Sequence, residues 1–252
     1  MTENTVKITS DLINTVRNAK KVVVLTGAGM SVESGIPTYR DSQVGLWRKY
    51  RPQDLATPEA FQADPHLVWK WYCGRREVIQ RAVPHAGYHA LGKIEEHAKQ
   101  FTIITQNIDG LHQKAGDHLV IELHGNIHRA RCTAENVTFD EWDDANLPPK
   151  CPNCHADLRP DVVWFGEPIP ASSLETAINA SRTCDLFFSI GTSGLIEPAS
   201  TFPYEALRHG AQVIEINPQA TPLTVYATYY LPYPVGVILP SLVEVAWPAP
   251  HN

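Results

Sequence analysis

The sequence predicts an α/β protein built on a doubly wound parallel sheet, and three observations predict it. Five short apolar runs recur along the 252 residues: VVVLT at 22–26, FTIITQ at 101–106, VIEL at 120–123, LFFSI at 186–190 and QVIEI at 212–216. Helical patterns separate them. The runs are near-continuous rather than alternating, which marks strands buried on both faces, as in a parallel sheet covered by helices. Each run also ends on small or hydrogen-bonding residues: Gly27-Ala28-Gly29, Gln106-Asn107, His124-Gly125, Gly191-Thr192-Ser193 and Asn217. Ligands of open parallel sheets bind just beyond the carboxyl ends of the strands. A binding site is therefore expected there.

Composition narrows the class. Hydrophobic residues make up 43% of the chain, enough for a proper core, and the length suits one or two domains. A net charge of −6 argues against wrapping a nucleic-acid backbone. No apolar run approaches the ~18 residues of a membrane-spanning helix. The segment MTENTVKITSDL lacks the basic start, apolar stretch and cleavage site of a secretory leader, so a cytoplasmic protein is expected. Five cysteines, an odd number with one close pair, do not suggest a disulfide framework.

Two segments interrupt the alternation. Residues 41–87 are rich in Trp, Arg and Pro and read as helical. Asp64 is the expected N-cap, Pro65 the first helical residue and Pro84 the stop. Within that helix an apolar stripe runs through Val68, Tyr72 and Ile79, with Arg75 in its middle. Residues 129–158 hold three cysteines among acidic and proline residues, with little periodicity. These two insertions are expected to pack together as a smaller lobe. The main domain then comprises residues 1–40, 88–128 and 159–252.

Five motifs carry chemistry. TGAGMSVESGIPTYRD at 26–41 follows a strand, and its glycines permit close approach to a phosphate, although Val32 breaks the G-x-G-x-x-G dinucleotide pattern. TQNIDGLHQKAG at 105–116 clusters Gln106, Asn107 and Asp109. They read either as an Asx-turn before a helix or as a grip on a polar ring substituent. ELHGNIHRARC at 122–132 puts His124 at a strand's carboxyl end, where a general base is plausible. CTAE at 132–135 and CPNC at 151–154 resemble a zinc ribbon with one cysteine missing. Cys132, Cys151 and Cys154 remain, and Glu135 or His155 is the candidate fourth ligand; the alternative is a site that has lost its metal. LRPDVVWFGEPIP at 158–170 contains an apolar extended run at 162–165, read as an edge strand or as a track for strand addition by a peptide.

Together these motifs resemble the sirtuins, NAD-dependent protein lysine deacylases. GAG-x-S-x-x-SGIP, TQNIDGLH, ELHG, RPDVVWFGE, GTS and EIN stand in that family's order from about Val22 to Asn217. Tyr39 replaces the usual phenylalanine, and Glu135 a zinc cysteine. The resemblance implies a Rossmann-like NAD-binding domain, with a small domain made of a helical module and a zinc-ribbon-like module. Ala28, Gly29 and Arg40, with Thr192 and Ser193, would hold the NAD pyrophosphate, and Gly27 and Gly191 would also bind the cofactor. Asn217 would contact the adenosine ribose. Ile108 and Asp109 would hold the carboxamide, and Gln106 and Asn107 the nicotinamide ribose. His124 would be the general base, and Asn107 the second catalytic residue. Val163, Phe165 and Glu167, with Gly194, Leu195 and Ile196, would line an extended acyl-lysine peptide. NAD would be consumed and zinc would be structural. Protein ADP-ribosylation and non-catalytic NAD sensing are the competing readings.

Within the family, the Tyr72-x-x-Arg75 pair resembles the branch that removes malonyl and succinyl groups. Ala56, in DLATPEAF at 54–61, would leave room for the longer chain. Arg75 would pair with its carboxylate, aided by the Tyr72 hydroxyl. The opposing expectation is an internal acid, such as Glu77, as the partner of Arg75.

Overall fold

The computed structural model describes residues 8–38 and 52–248. Nine strands are present among them: β1 (Lys21–Thr26), β2 (Gln100–Thr105), β3 (Val120–Glu122), β4 (Gly125–Cys132), β5 (Thr138–Phe139), β6 (Leu158–Val162), β7 (Leu186–Ile190), β8 (Gln212–Ile216) and β9 (Tyr229–Leu231). Six form one sheet in the order β3-β2-β1-β7-β8-β9, with every neighbouring pair parallel. The chain winds outward from β1 to β3, then crosses back to β7 and winds the other way. The reversal lies between β1 and β7. The five expected runs are all strands of this sheet; β9 was not anticipated.

Alternation along the strands explains the apolar runs. Val22 and Val24 of β1 face one core, and Val23 and Leu25 face the other. Phe188 and Phe187 divide in the same way. Both faces are covered, so most positions are apolar, with Ser189 and Glu215 as buried polar exceptions. The helices described are α1 (Ser10–Asn18), α2 (Pro52–Leu55), α3 (Pro58–Ala63), α4 (Pro65–Arg81), α5 (Ala86–His97), α6 (Leu111–Ala115), α7 (Ala171–Thr183), α8 (Phe202–Arg208) and α9 (Val235–Ala246). Leu12 of α1, Leu91 of α5 and Ile238 of α9 fill the first core. Ala177 of α7 and Phe202 of α8 fill the second.

The helical insertion follows its sequence signals. Asp64 Oδ1 accepts the Leu67 N–H at 2.9 Å, and Pro65 opens α4. The helix ends at Arg81, three residues before Pro84. Its buried face is Val68, Trp69, Trp71, Tyr72, Arg75 and Ile79. Trp69 Nε1 donates to the Leu158 carbonyl at 2.7 Å, and its ring lies 5.8 Å from that of Trp142. Those contacts tie the helical insertion to the cysteine-bearing one.

The second insertion contains more order than its sequence suggested. β5, β4 and β6 form an antiparallel sheet in that order, reaching from 125 to 162. The extended run expected at 162–165 is displaced: the edge strand is β6 at Leu158–Val162, and residues 163–165 continue outside it. Charge explains the misreading. Arg159 pairs with Glu167, while Asp161 takes Arg129 and Arg131, so β6 carries ionic residues that do not look like a strand.

Candidate active site

The carboxyl ends of β1 and β7 meet backbone to backbone at the reversal point. The Gly27 N–H donates to the Ile190 carbonyl at 3.0 Å and the Gly29 N–H to the Gly191 carbonyl at 2.8 Å. A Cβ on Gly29 would sit 2.7 Å from Gly191 Cα, and one on Gly191 would sit 2.4 Å from the Met30 nitrogen. Gly191 also has φ +60°. Only glycine permits this crossing. The chain then enters a 3₁₀ turn, Ala28–Ser34, rather than an α-helix.

Side chains lace the other strand ends to this crossing. Gln106 Nε2 donates to Thr192 Oγ1 at 3.1 Å, and Asn217 Nδ2 to the Thr192 carbonyl at 2.9 Å. Asn107 Nδ2 donates to the Gly27 carbonyl and to Ser31 Oγ, each at 3.0 Å. Ser31 gives its one proton to Asp109 Oδ2 at 2.6 Å, so the Tyr88 hydroxyl, 2.9 Å away, donates to Ser31. Burial, with Asp109 nearby, pushes the Tyr88 phenol far above its ordinary range and keeps it a donor. Asp109 Oδ1 also accepts the Leu111 N–H at 3.0 Å. The Asx-turn and the polar cluster are thus one arrangement.

His124 stands at the end of β3. Its Nδ1 lies 2.9 Å from the Gln106 carbonyl. A carbonyl only accepts, so Nδ1 carries the proton and Nε2 holds the free lone pair. Burial lowers the His124 pKa, and the Gln106 carbonyl offsets part of that effect. The ring is therefore a neutral base of fixed tautomer. The His124 carbonyl accepts the Val163 N–H at 2.9 Å, which anchors the segment after β6 beside it.

The expected acyl-pocket residues lie on the small lobe. Ala56 is buried, and its carbonyl accepts the Phe165 N–H at 2.9 Å. The Tyr72 hydroxyl accepts from Trp164 Nε1 at 3.0 Å. Arg75 is 8% exposed, with its guanidinium carbon 5.8 Å from the Trp71 ring centre. It lines a cavity of about 30 Å³ together with Ala28, Ser31, Asn107, Ile108 and Asp109. Arg75 is thereby brought to the same space as the loop after β2. Arg40 lies outside the described residues. Phe165, Leu195 and Ile196 are exposed apolar side chains, while Ser193 and Gly194 are partly exposed on the loop after β7. Glu167 is committed within its own loop: Arg159 holds both carboxylate oxygens, and the Trp164 N–H adds a bond at 2.9 Å. Burial would raise its pKa, but these bonds hold it below the usual carboxylate value.

A family model described as Sir2 family matches residues 27–198. The chain belongs to the Sir2 family. An NAD-dependent protein deacylase of Aquifex aeolicus (strain VF5) is 50% identical over 205 residues, covering 81% of this chain and 85% of the relative. The crystal structure of a Sir2 homologue–NAD complex superposes with a TM-score of 0.90 at 41% identity, covering 96% of this chain and 94% of the other. A Sir2–p53 peptide–NAD⁺ structure superposes at 0.85 with 29% identity, covering 95% and 98%.

This Sir2 chain gathers Cys132, Glu135, Cys151 and Cys154 so that their ligand atoms all lie within 4.8 Å of one another. His155, the other candidate fourth ligand, is not a member of that cluster. Three sulfurs and a carboxylate oxygen are a donor set that zinc accepts. The Glu135 N–H, 3.4 Å from Cys132 Sγ, lowers that thiol's pKa and favours the thiolate a metal needs. A larger cavity of about 390 Å³ lies beside β3, β4 and β6. Its charged walls, Glu122, Arg129, Arg131 and Asp161, are paired among themselves; Gly125 and Val163 also line it, whereas Asn107, Asp109 and His124 do not.

Sequence reasoning missed Ser31, Tyr88, Thr26, Thr105, His112 and Asp117. All are buried polar residues beneath or beside the Asn107 loop. Their signal in the sequence was weak, because a lone hydroxyl at a strand end reads as the strand's termination.

Proposed function

We propose that this chain is an NAD-dependent protein lysine deacylase that prefers succinyl- and malonyl-lysine over, or alongside, acetyl-lysine. The observation that carries the reading is His124, pinned through Nδ1 with Nε2 available, at the strand ends where Asn107 and Asp109 are also held. The NAD-bound and peptide-bound relatives support its deacylase part, and the acyl preference rests on Ala56, Tyr72 and Arg75 alone.

When bound, NAD supplies an electrophilic ribose carbon that accepts the acyl oxygen as nicotinamide departs. The chain's own residues bind, orient and move protons. Ala28, Gly29, Arg40, Thr192 and Ser193 would hold the pyrophosphate and Asn217 the adenosine ribose, with Gly27 and Gly191 forming the backbone crossing beside them. Ile108 and Asp109 hold the carboxamide; Gln106 and Asn107 orient the nicotinamide ribose. His124 Nε2 takes a ribose hydroxyl proton, a task suited to a base that stays neutral at working pH. One water is consumed in releasing the amine, and the products are free lysine, nicotinamide and O-acyl-ADP-ribose.

The peptide lies extended between the segment holding Val163 and Phe165 and the loop of Gly194, Leu195 and Ile196. Glu167 serves by shaping the first of these through Arg159. Ala56, Tyr72 and Arg75 select the acyl group, with the guanidinium meeting a distal carboxylate. Cys132, Cys151 and Cys154 would hold a structural zinc, with Glu135 as the fourth ligand. Its closely spaced thiols suit a reducing cytoplasm.

A panel of acetyl, malonyl, succinyl and glutaryl peptides, each with NAD, tests the preference. The expected result is a higher kcat/KM for succinyl and malonyl than for acetyl. A panel led by acetyl, with the anionic groups inert, removes Tyr72 and Arg75 from substrate selection.

A further inference from the structure

Beneath the Asn107 loop runs a chain of buried polar groups that the proposed chemistry does not use. Thr26 and Thr105 are the last residues of β1 and β2 and stand opposite each other in register. Register partners share a sheet face, and here Thr26 Oγ1 donates to Thr105 Oγ1 at 2.9 Å. Thr105 Oγ1 also accepts the backbone N–H of Asn107 at 3.0 Å. On the other side, His112 Nε2 lies 3.0 Å from Thr26 Oγ1, and His112 Nδ1 lies 2.8 Å from Asp117 Oδ2. The four side-chain-bearing residues Thr26, Thr105, His112 and Asp117 are 0%, 3%, 1% and 7% exposed.

We propose that His112 and Asp117 are positioning residues: through Thr26 and Thr105 they hold the Asn107 backbone and thereby set the rate of the chemical steps. The inference rests on the deacylase reading and extends it to groups that touch neither substrate.

The local fold builds the relay deliberately. Helix α6 is a short segment between two glycines of positive φ, Gly110 and Gly116. The turn after it returns the Asp117 N–H to the His112 carbonyl at 3.1 Å, which sets the carboxylate beside its own imidazole. The Tyr88 ring meets the His112 ring edge-on at 4.9 Å and fixes its plane. A buried carboxylate and imidazole are costly in a core where apolar side chains would serve. What they obtain is a defined end point, the half-buried Asn107 N–H, which would otherwise lose its fixed partner. The Asn107 side chain is held separately by Gly27 and Ser31. Backbone and side chain are thus fixed from opposite directions. Misplacing a reacting group by about 1 Å can cost on the order of 100-fold in rate, so a loosened backbone here is felt in kcat.

The test is steady-state kinetics on the full chain with NAD and a succinyl or acetyl peptide, whichever wild type turns over faster. Thr26→Val keeps volume and breaks the relay; kcat is expected to fall about tenfold, one hydrogen bond's worth, with peptide KM little changed. Thr26→Ser keeps the hydroxyl and restores kcat. Thr26→Val combined with Asp117→Asn falls no further than the worse single variant, as expected of groups acting in one chain. If Thr26→Val does not fold, Thr105→Val carries the same prediction. The proposal is overturned by a Thr26→Val enzyme with wild-type kcat, by Thr26→Ser losing as much as Val, or by additive losses. A wild type that releases no nicotinamide from any acyl peptide overturns the deacylase reading itself and the relay's role with it. An active wild type beside an equally active Thr26→Val overturns the relay alone.

Discussion

Replacing Gly191 with alanine tests the crossing on which the site is built. The new Cβ would lie 2.4 Å from the Met30 nitrogen and 2.6 Å from the Gly29 carbonyl carbon, both backbone atoms that no rotamer change can move. The left-handed φ of +60° adds about 1–2 kcal/mol for a residue with a Cβ. Overpacking of this kind costs roughly 1–3 kcal/mol more. The total, about 2–5 kcal/mol, corresponds to a fall in Tm of roughly 4–20 °C at 2–4 °C per kcal/mol for a chain of this size. Two other glycines separate the contributions. Gly210 has φ +87° but open space around its Cβ position, so Gly210→Ala should lose only the conformational part, about 1–2 kcal/mol. Gly92 lies in the helical backbone of α5 with nothing within 4 Å of its Cβ position, and Gly92→Ala should stabilise by about 0.5–1 kcal/mol. Thermal unfolding of the three variants, with NAD affinity for those that fold, is the assay. Equal Tm values for Gly191→Ala and Gly210→Ala would refute the close crossing.

Three further outcomes are expected. The acid limb of kcat/KM should fall below about 6.5, the ordinary histidine value, because burial keeps His124 neutral. The same depression makes His124's contribution to stability full above the unfolded value and lost as pH falls below it toward the folded one; a limb above that value contradicts the assignment, and His124→Tyr should abolish turnover with the fold intact. Arg75→Met should cut kcat/KM for succinyl-lysine by roughly 10- to 150-fold, the equivalent of about 1.5–3 kcal/mol for a charged hydrogen bond, and spare acetyl-lysine. Equal losses on both substrates would make Arg75 structural. Purified protein should contain zinc, and Glu135→Ala should surrender it to a chelator faster than wild type; a wild type without zinc would leave the cluster held by packing alone.

The doubly wound sheet was legible because its central strands are buried on both faces. Val22, Phe187 and Val213 therefore sit in runs that are mostly apolar, broken only by single residues such as Ser189 and Glu215. β9 was not legible: Tyr229 and Tyr230 are half-buried on a three-residue edge strand with one neighbour. β4 and β6 were hidden by their own ion pairs, since Arg129, Arg131 and Asp161 look like loop residues until they are placed side by side. Arg75 was legible as an anomaly on an apolar stripe, and its burial on α4 explains why the stripe looked wrong. The polar network under Asn107 was not legible at all. Thr26 and Thr105 are 79 residues apart, and nothing local says that two strand-ending threonines share a face with His112. A zinc ligand choice between Glu135 and His155 likewise needed the fold, because both are near a cysteine in sequence and only one is near three in space.

The most direct measurement is the product balance from a succinyl-lysine peptide incubated with NAD and read by mass spectrometry. The expected result is equal amounts of free lysine peptide, nicotinamide and O-succinyl-ADP-ribose, with free lysine peptide and O-succinyl-ADP-ribose absent for His124→Tyr. ADP-ribose attached to protein in place of free lysine, or no nicotinamide from any acyl peptide, would contradict the deacylase account.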